Sequence, residues 1–199
     1  MAAAVVAARS GLALDEFIAH FERQPFEIID GVTVAMSPTV LGHDWLKQRV
    51  FLLIHDLVRA ENLGYVFVET PFTVADPDDP SWVAGSLVPD MLFIAGQERM
   101  IAYKKAVPDW KRCPLEIVPD LIVEIQSPTD RNAAVLRKVV YALSLGVKAV
   151  WVFNEQRRSA GVYTPDSDPV TLHSDQTLDG GALLPGLVIR LADLFKDEE

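Results

Sequence analysis

Two carboxylates in this chain stand in runs that would otherwise read as buried strand. Glu124 lies among Leu121, Ile122, Val123 and Ile125, within "PDLIVEIQSP" at 119 to 128. Asp90 follows Pro89 and precedes Met91, Leu92, Phe93 and Ile94. Burying an unpaired carboxylate is costly, so such a group is normally paired, hydrogen-bonded or holding a metal. Strand alternation puts Asp120, Ile122, Glu124 and Gln126 on one face and Leu121, Val123 and Ile125 on the other. Asp120 and Glu124 are then roughly 13 Å apart, too far to ligate one cation together. The partner of Glu124 must come from another strand, and Asp90 is the obvious candidate. Adjacent strands lie about 4.8 Å apart, so two carboxylates in register would pinch a hard cation such as Mg²⁺. The plainer alternative has Asp90 opening a strand at its exposed end and Glu124 paired with an arginine.

A third group comes from the helix expected after "SPTDR", which Ser127, Thr129 or Asp130 would cap. Lys138 shares a side of that helix with Tyr141, Ala142 and Leu145, so its stem packs while its ammonium reaches past the helix edge. Beside two metal-bound carboxylates, such an ammonium would steady a developing phosphorane charge or position an attacking water. A snorkelling surface lysine is the other reading.

The elements that must position these groups follow from periodicity. Residues 14 to 24 have helical spacing, and "FEIIDGVTVAM" places two apolar runs around Asp30-Gly31, a strong hairpin signal. From Val40 to Asn62 a long helix is expected, with Leu41, Trp45, Leu46, Val50, Leu53, Ile54, Leu57 and Val58 facing inward and Gly64 behind as a stop. Strands follow at 65–70, 72–74, 87–94 and 120–126, then a helix at 132–145 ended by Gly146 and a strand at 148–154. The strand-helix-strand order at 120–154 predicts a crossover that makes its two strands parallel. Short strands and a helical turn at "LADLF" close the chain. The connection from Ala95 to Val118 reads as irregular. The class is α/β or α+β with a mixed central sheet.

Composition narrows the chemistry. The chain has 199 residues, half of them apolar, enough for one ordinary core, and a formal charge of −10. That charge argues against a broad basic coat but allows a local basic groove. Positive charge clusters at Lys104, Lys105, Lys111 and Arg112, and again at Arg131, Arg137 and Lys138; "DPDD" at 76–79 and the terminal "KDEE" read as solvated segments. The single cysteine, Cys113, excludes an internal disulfide and fits a reducing compartment; nothing around it supports a catalytic thiol. "MAAAVVAARSG" is too short to span a bilayer and lacks the charged start of a secretory signal, so a frayed start (1–12) and a cytoplasmic protein are expected.

Taken in order, "VPD", "PDLIVEIQSP", a helix with lysine and tyrosine, and "GVKAVWVFN" resemble the Uma-type restriction endonuclease family of the PD-(D/E)XK nuclease superfamily. "FEIIDGVTVAMSP", His43 at the opening of the long helix and "LPGLVIRLADLF" extend the resemblance over nearly the whole chain. It implies a single nuclease-like domain over 1–199, with a restriction-endonuclease-like mixed sheet flanked by helices. It makes Asp90 and Glu124 the metal ligands and Lys138 the catalytic lysine, fourteen positions past Glu124. The superfamily's usual lysine position is occupied by Gln126. Glu27 matches a glutamate typical of the family, which would orient a metal-bound water or add a ligand, against the alternative of a half-exposed hairpin residue. His43 also matches, against the alternative of a capping or packing histidine at a helix start, and with Lys104, Lys105, Arg131, Arg137 and Tyr141 it completes the expected nucleic-acid contacts. One departure stands out: family members often carry an acid four positions before the helix lysine, where this chain has Ala134.

The expected function is Mg²⁺-dependent hydrolysis of DNA phosphodiesters, with Mn²⁺ as substitute, by an enzyme acting as a homodimer without a membrane partner. The rival is a weak or inactive nuclease-fold module that binds nucleic acid or a protein. Gln126, Ala134 and the acidic charge favour the rival; the presence together of Asp90, Glu124 and Lys138 favours the enzyme.

Overall fold

The computed structural model describes residues 10–36, 40–127 and 131–196. The first part of the chain holds β1 (Leu12–Ala13), α1 (Leu14–Phe21), β2 (Phe26–Ile29), β3 (Val32–Ala35), α2 (Leu41–Ala60) and β4 (Gly64–Val68). The middle holds β5 (Phe72–Asp76), β6 (Asp79–Leu87), β7 (Met91–Ala95), α3 (Glu98–Ala106), β8 (Leu121–Gln126) and α4 (Asn132–Ser144). The last part holds β9 (Ala149–Asn154), β10 (Ser159–Thr164), β11 (Ser167–Leu172), β12 (Thr177–Asp179), β13 (Val188–Arg190) and α5 (Leu191–Leu194).

The central sheet has the order β11-β10-β9-β8-β7-β4. Only β8 and β9 run parallel, joined across α4 as the strand-helix-strand pattern required. One face of β8 (Leu121, Val123, Ile125) packs under α2 and α5 with Leu46, Val50, Ile54 and Leu194. The other carries Ile122 into a second core with Val139 and Ala142 of α4. A smaller sheet, β1-β6-β2-β3 with β5 added to β6, stands beside it. The β2–β3 turn is the expected one: Asp30 (φ 50°) and Gly31 (φ 73°) both take the left-handed backbone that a two-residue hairpin needs.

Four expectations need correction. The strand drawn over 87–94 is two strands, β6 and β7, because Pro89 has no N–H to give a ladder and the chain breaks at Val88–Asp90. The irregular 95–118 connection contains α3, which buries Met100 and Tyr103. The buried face of α2 is rotated from the expected one: His43 and Lys47 are buried with Leu46, Val50, Ile54 and Val58. Leu41, Trp45 and Leu53 face out, Leu41 being 80 % exposed. Leu12, expected in the frayed start, pairs with Val83; residues 1–9 lie outside the described residues. "DPDD" forms the β5–β6 turn, with the Asp78 N–H donating to Asp76 Oδ1 at 2.9 Å.

Gly85 of β6 shows how closely α4 docks. A Cβ there would sit 2.0 Å from the Tyr141 hydroxyl oxygen and 3.2 Å from Cζ. Gly85→Ala is therefore expected to cost about 1–3 kcal/mol, as overpacking does. Tyr141→Phe removes the obstructing oxygen and should recover most of that loss in the double variant, read by denaturant unfolding of all four proteins. Additive costs would mean that the two side chains do not meet.

Candidate active site

Asp90 and Glu124 do come into register. Met91 pairs with Val123 and Leu92 with Ile122, so the antiparallel ladder continued by one residue sets Asp90 opposite Glu124. The Ile125 N–H donates to Asp90 Oδ2 at 2.7 Å, and the Glu69 N–H donates to the Asp90 carbonyl at 3.1 Å. The proline that ends β6 thus turns the chain so that Asp90 enters the site from a bound backbone.

Lys138 reaches the same place from α4. Its Nζ lies 2.9 Å from Glu124 Oε1 and 2.7 Å from Glu27 Oε1, and it donates to the Val88 carbonyl at 3.2 Å. Glu27 is buried on β2, not half-exposed, and its Oε1 also accepts the Val88 N–H at 2.8 Å. The Lys138 ammonium and the Val88 peptide therefore tie α4, β2 and the β6–β7 break into one unit.

Glu124 is 9 % exposed, and its buried Oε1 has Lys138 Nζ, at 2.9 Å, as its partner. Burial pushes its pKa up to about 8; Lys138 pulls it down, while Asp90 and Glu27 push it further up. Burial opposes the charge on Lys138, but Glu124 and Glu27 outweigh it and raise its pKa above the usual lysine value. The result is a fixed ammonium beside a carboxyl that resists ionisation.

His43 is buried at the start of α2, with Nε2 3.2 Å from Asp90 Oδ1 and Nδ1 3.4 Å from Asp44 Oδ1. Burial disfavours its charged form, yet Asp90 and then Asp44 raise its pKa overall. Lys47, one helical turn on, pairs with Asp44 at 2.6 Å and with Glu69. Sequence reasoning missed Lys47, although its spacing of four from His43 places both on one helix face.

Gln126 occupies the end of β8, where its Nε2 donates to Asn132 Oδ1 at 2.7 Å and its Oε1 accepts from Asn154 Nδ2 at 2.8 Å. Around these groups lies a cleft of about 260 Å³, walled by Ile29, Val34, Met36, Val88, Ala134 and Val135. Ala134, in place of an acid, faces this cleft one turn before Lys138.

The expected basic contacts divide. Arg131 is exposed at the start of α4 beside the cleft, with no side-chain cap; Thr129 and Asp130 lie outside the described residues. Arg137 is taken up by Asp30 Oδ2 at 3.2 Å and the Ile29 carbonyl at 3.2 Å. Tyr141 packs on Gly85, where burial and then Asp30 raise its pKa. Lys104 and Lys105 sit on α3, beyond the far end of β7, roughly 16 Å of strand from Asp90. There Lys104 lies over the rings of Tyr65 and Trp110, at 5.2 and 4.7 Å from the centroids. They do not line the cleft, because β7 runs antiparallel to β8 and carries α3 to its Asp120 end. There Asp120 pairs with Arg99 at 2.6 Å and Lys148 at 2.8 Å, a second buried-carboxylate cluster with its charge fully met.

A metal is compatible with this donor set. Among the described residues no group of three or more His, Cys, Asp and Glu is placed to hold an ion. Two carboxylates plus water and substrate oxygens is, however, how Mg²⁺ is commonly held. The Asp90 and Glu124 carboxylates, both lining the cleft, are the groups that would hold such an ion.

Among the described residues no helix is long and apolar enough to cross a membrane. Among curated proteins, none matches this chain. A crystal structure from Anabaena variabilis ATCC 29413, described as a "putative nuclease belonging to DUF820", is similar with a TM-score of 0.71 at 20 % identity, covering 92 % of this chain and 97 % of that one. At that identity the likeness is one of fold: this is a mixed α+β nuclease-like architecture. The family model for Uma2, "Putative restriction endonuclease", matches residues 14–192, and the chain belongs to that family.

Proposed function

We propose that this protein is a Mg²⁺-dependent endonuclease that hydrolyses DNA phosphodiester bonds, with Asp90 and Glu124 as the metal ligands and Mn²⁺ as a possible replacement. The observation that carries the reading is Glu124, a buried carboxylate brought opposite Asp90 in one cleft with Lys138 Nζ 2.9 Å from its Oε1. A strained carboxyl of this kind, in a cleft beside a fixed cation, marks a functional site more readily than a structural one. When bound, the ion supplies polarisation of the scissile phosphate and a lowered pKa for the attacking water.

The chain's own residues do the rest. Lys138 stays an ammonium through neutral pH, so it serves as an electrostatic stabiliser of the phosphorane charge and not as a base. Glu27 and the Val88 carbonyl hold it in place. His43 steadies Asp90 from the opposite side. Gln126 brings no charge, and Lys138 on α4 delivers the ammonium to the cleft in its stead. DNA as substrate rests on the family's description. One such site cuts one strand, so the reading includes a homodimer for cutting two.

The test is cleavage of supercoiled and single-stranded circular DNA by purified protein in Mg²⁺, Mn²⁺ or EDTA. Metal-dependent cleavage is expected. Calorimetric metal binding that needs Asp90 and Glu124, without cleavage of either DNA, would instead favour the inactive binding module.

A further inference from the structure

On the outer flank of α2 lies a second cleft, of about 400 Å³, that the reaction as described does not use. Its wall is formed by Trp45 and Arg49 of α2, the turn after β9, and the end of α5. Trp45 is 47 % exposed, an unusual state for the largest side chain on a helix whose other face builds the main core.

The positive charges nearby sort into two kinds. Lys47, Arg137 and Lys138 are engaged by carboxylates. Arg49 gives its guanidinium to the Lys196 and Asp193 carbonyls at 2.7 and 2.6 Å. Arg157, Arg158 and Lys196 are exposed and make no side-chain ion pair among the described residues. Arg158 is held in the left-handed region (φ 47°), which fixes the turn that presents these arginines. The lining acid, Glu155, leans on the first turn of α2, with Oε2 3.0 Å from where a Gly42 Cβ would be. There its charge complements the helix start.

This cleft and the candidate active-site cleft share no lining residue, but the first turn of α2 touches the surroundings of both. The first turn of α2 reaches Asp90 through His43 and the β9 end through Gly42 and Glu155. Asn154 at that end also holds Gln126. An exposed indole beside uncommitted cations has the chemistry of a stacking platform for a base with its backbone neutralised.

We infer that the Trp45 cleft is a binding subsite for single-stranded nucleic acid, in which an unpaired base stacks on Trp45 and flanking phosphates meet Arg157, Arg158 and Lys196. The subsite names how the substrate of the proposed nuclease is held, and so rests on that reading. Duplex DNA, with its bases already stacked, gains only the charge contacts.

The experiment is fluorescence anisotropy of a labelled twelve-nucleotide oligo-dT, and of a duplex of equal length, in EDTA so that no cleavage contributes. Trp45→Ala is expected to weaken oligo-dT binding by roughly 5- to 150-fold, the range for loss of one base–aromatic stack, with Trp45→Phe keeping most of it. Arg157→Ala/Arg158→Ala should weaken binding of both probes and flatten its salt dependence. Thermal unfolding of each variant checks the fold. Wild-type protein that does not bind oligo-dT, or binding that Trp45→Ala leaves unchanged or lowers equally for both probes, overturns the subsite. None of these outcomes depends on cleavage, so the catalytic reading stands or falls separately in the plasmid assay.

Discussion

On the proposed reading, Asp90→Asn and Glu124→Gln are each expected to lower Mg²⁺-dependent cleavage by roughly 10³-fold or more, with the fold retained. Each substitution keeps the size of the side chain and removes an anionic charge from the proposed metal site. The ion's contribution to stabilising transition-state charge is several kcal/mol, which converts to about that factor. If both carboxylates act on one ion, as proposed, the double variant should be scarcely worse than either single one. Lys138→Met removes the ammonium that contacts both Glu124 and Glu27. It should cost about 10²- to 10³-fold, the scale for loss of one preorganised charge donor. Because it also leaves two buried acids without their cation, its unfolding must be measured beside its activity. Full activity in either carboxylate variant would remove Asp90 and Glu124 from the reaction, whatever metal the protein requires.

The pairing behind this expectation was legible because strand alternation is a strict rule. Once Glu124 is known to share a face with Ile122, its partner must come from a neighbouring strand, and the Pro89–Asp90 start supplies it. The crossover through α4 was legible for a similar reason: two apolar runs flank a helical pattern that a glycine ends. Local pattern fails where tertiary context decides. α3, "ERMIAYKKA", buries only Met100 and Tyr103, so its spacing gives no apolar stripe. β6, "DPSWVAGSL", carries Pro80 and Gly85 and becomes a strand through pairing with β5 and β2, which no local signal announces. α2 has apolar residues around most of its surface, so hydropathy could not choose its inner face. The buried face keeps Leu46, Val50, Ile54 and Val58 of the expected set and adds His43 and Lys47, which meet Asp90 and Glu69 there. The position of the basic residues relative to the cleft depends on strand direction, which charge clustering along the chain does not encode. The Trp45 cleft was invisible for the same reason: an outward tryptophan at helical spacing reads as core.

The same buried carboxyl that suits a metal should make the metal-free protein less stable as pH rises. Glu124 has a pKa of about 8 in the folded chain against an ordinary 4.5, chiefly from burial. Between those values the folded state keeps a proton that the unfolded chain has released, so stability falls with rising pH across that window and levels off above it. The groups facing Glu124 are Lys138, which favours ionisation, and Asp90 and Glu27, which oppose it. Lys138 does not blur the window. Its raised pKa adds stability that is fully present below its ordinary 10.5 and is lost only at more alkaline pH. Glu124→Gln keeps the shape and cannot ionise. In EDTA the variant and wild type should melt together near pH 5. The variant should then become progressively more stable, by a few kcal/mol at pH 8, or roughly 5–10 °C in Tm for a chain of this size. Mg²⁺ at pH 8 should narrow the gap by stabilising the wild type alone, since a ligand that binds only the folded state stabilises it by mass action. Tm curves that stay parallel from pH 5 to 8 would mean that the Lys138 ion pair keeps Glu124 ionised throughout. Site stability would then rest on that pair, with no proton for the metal to displace.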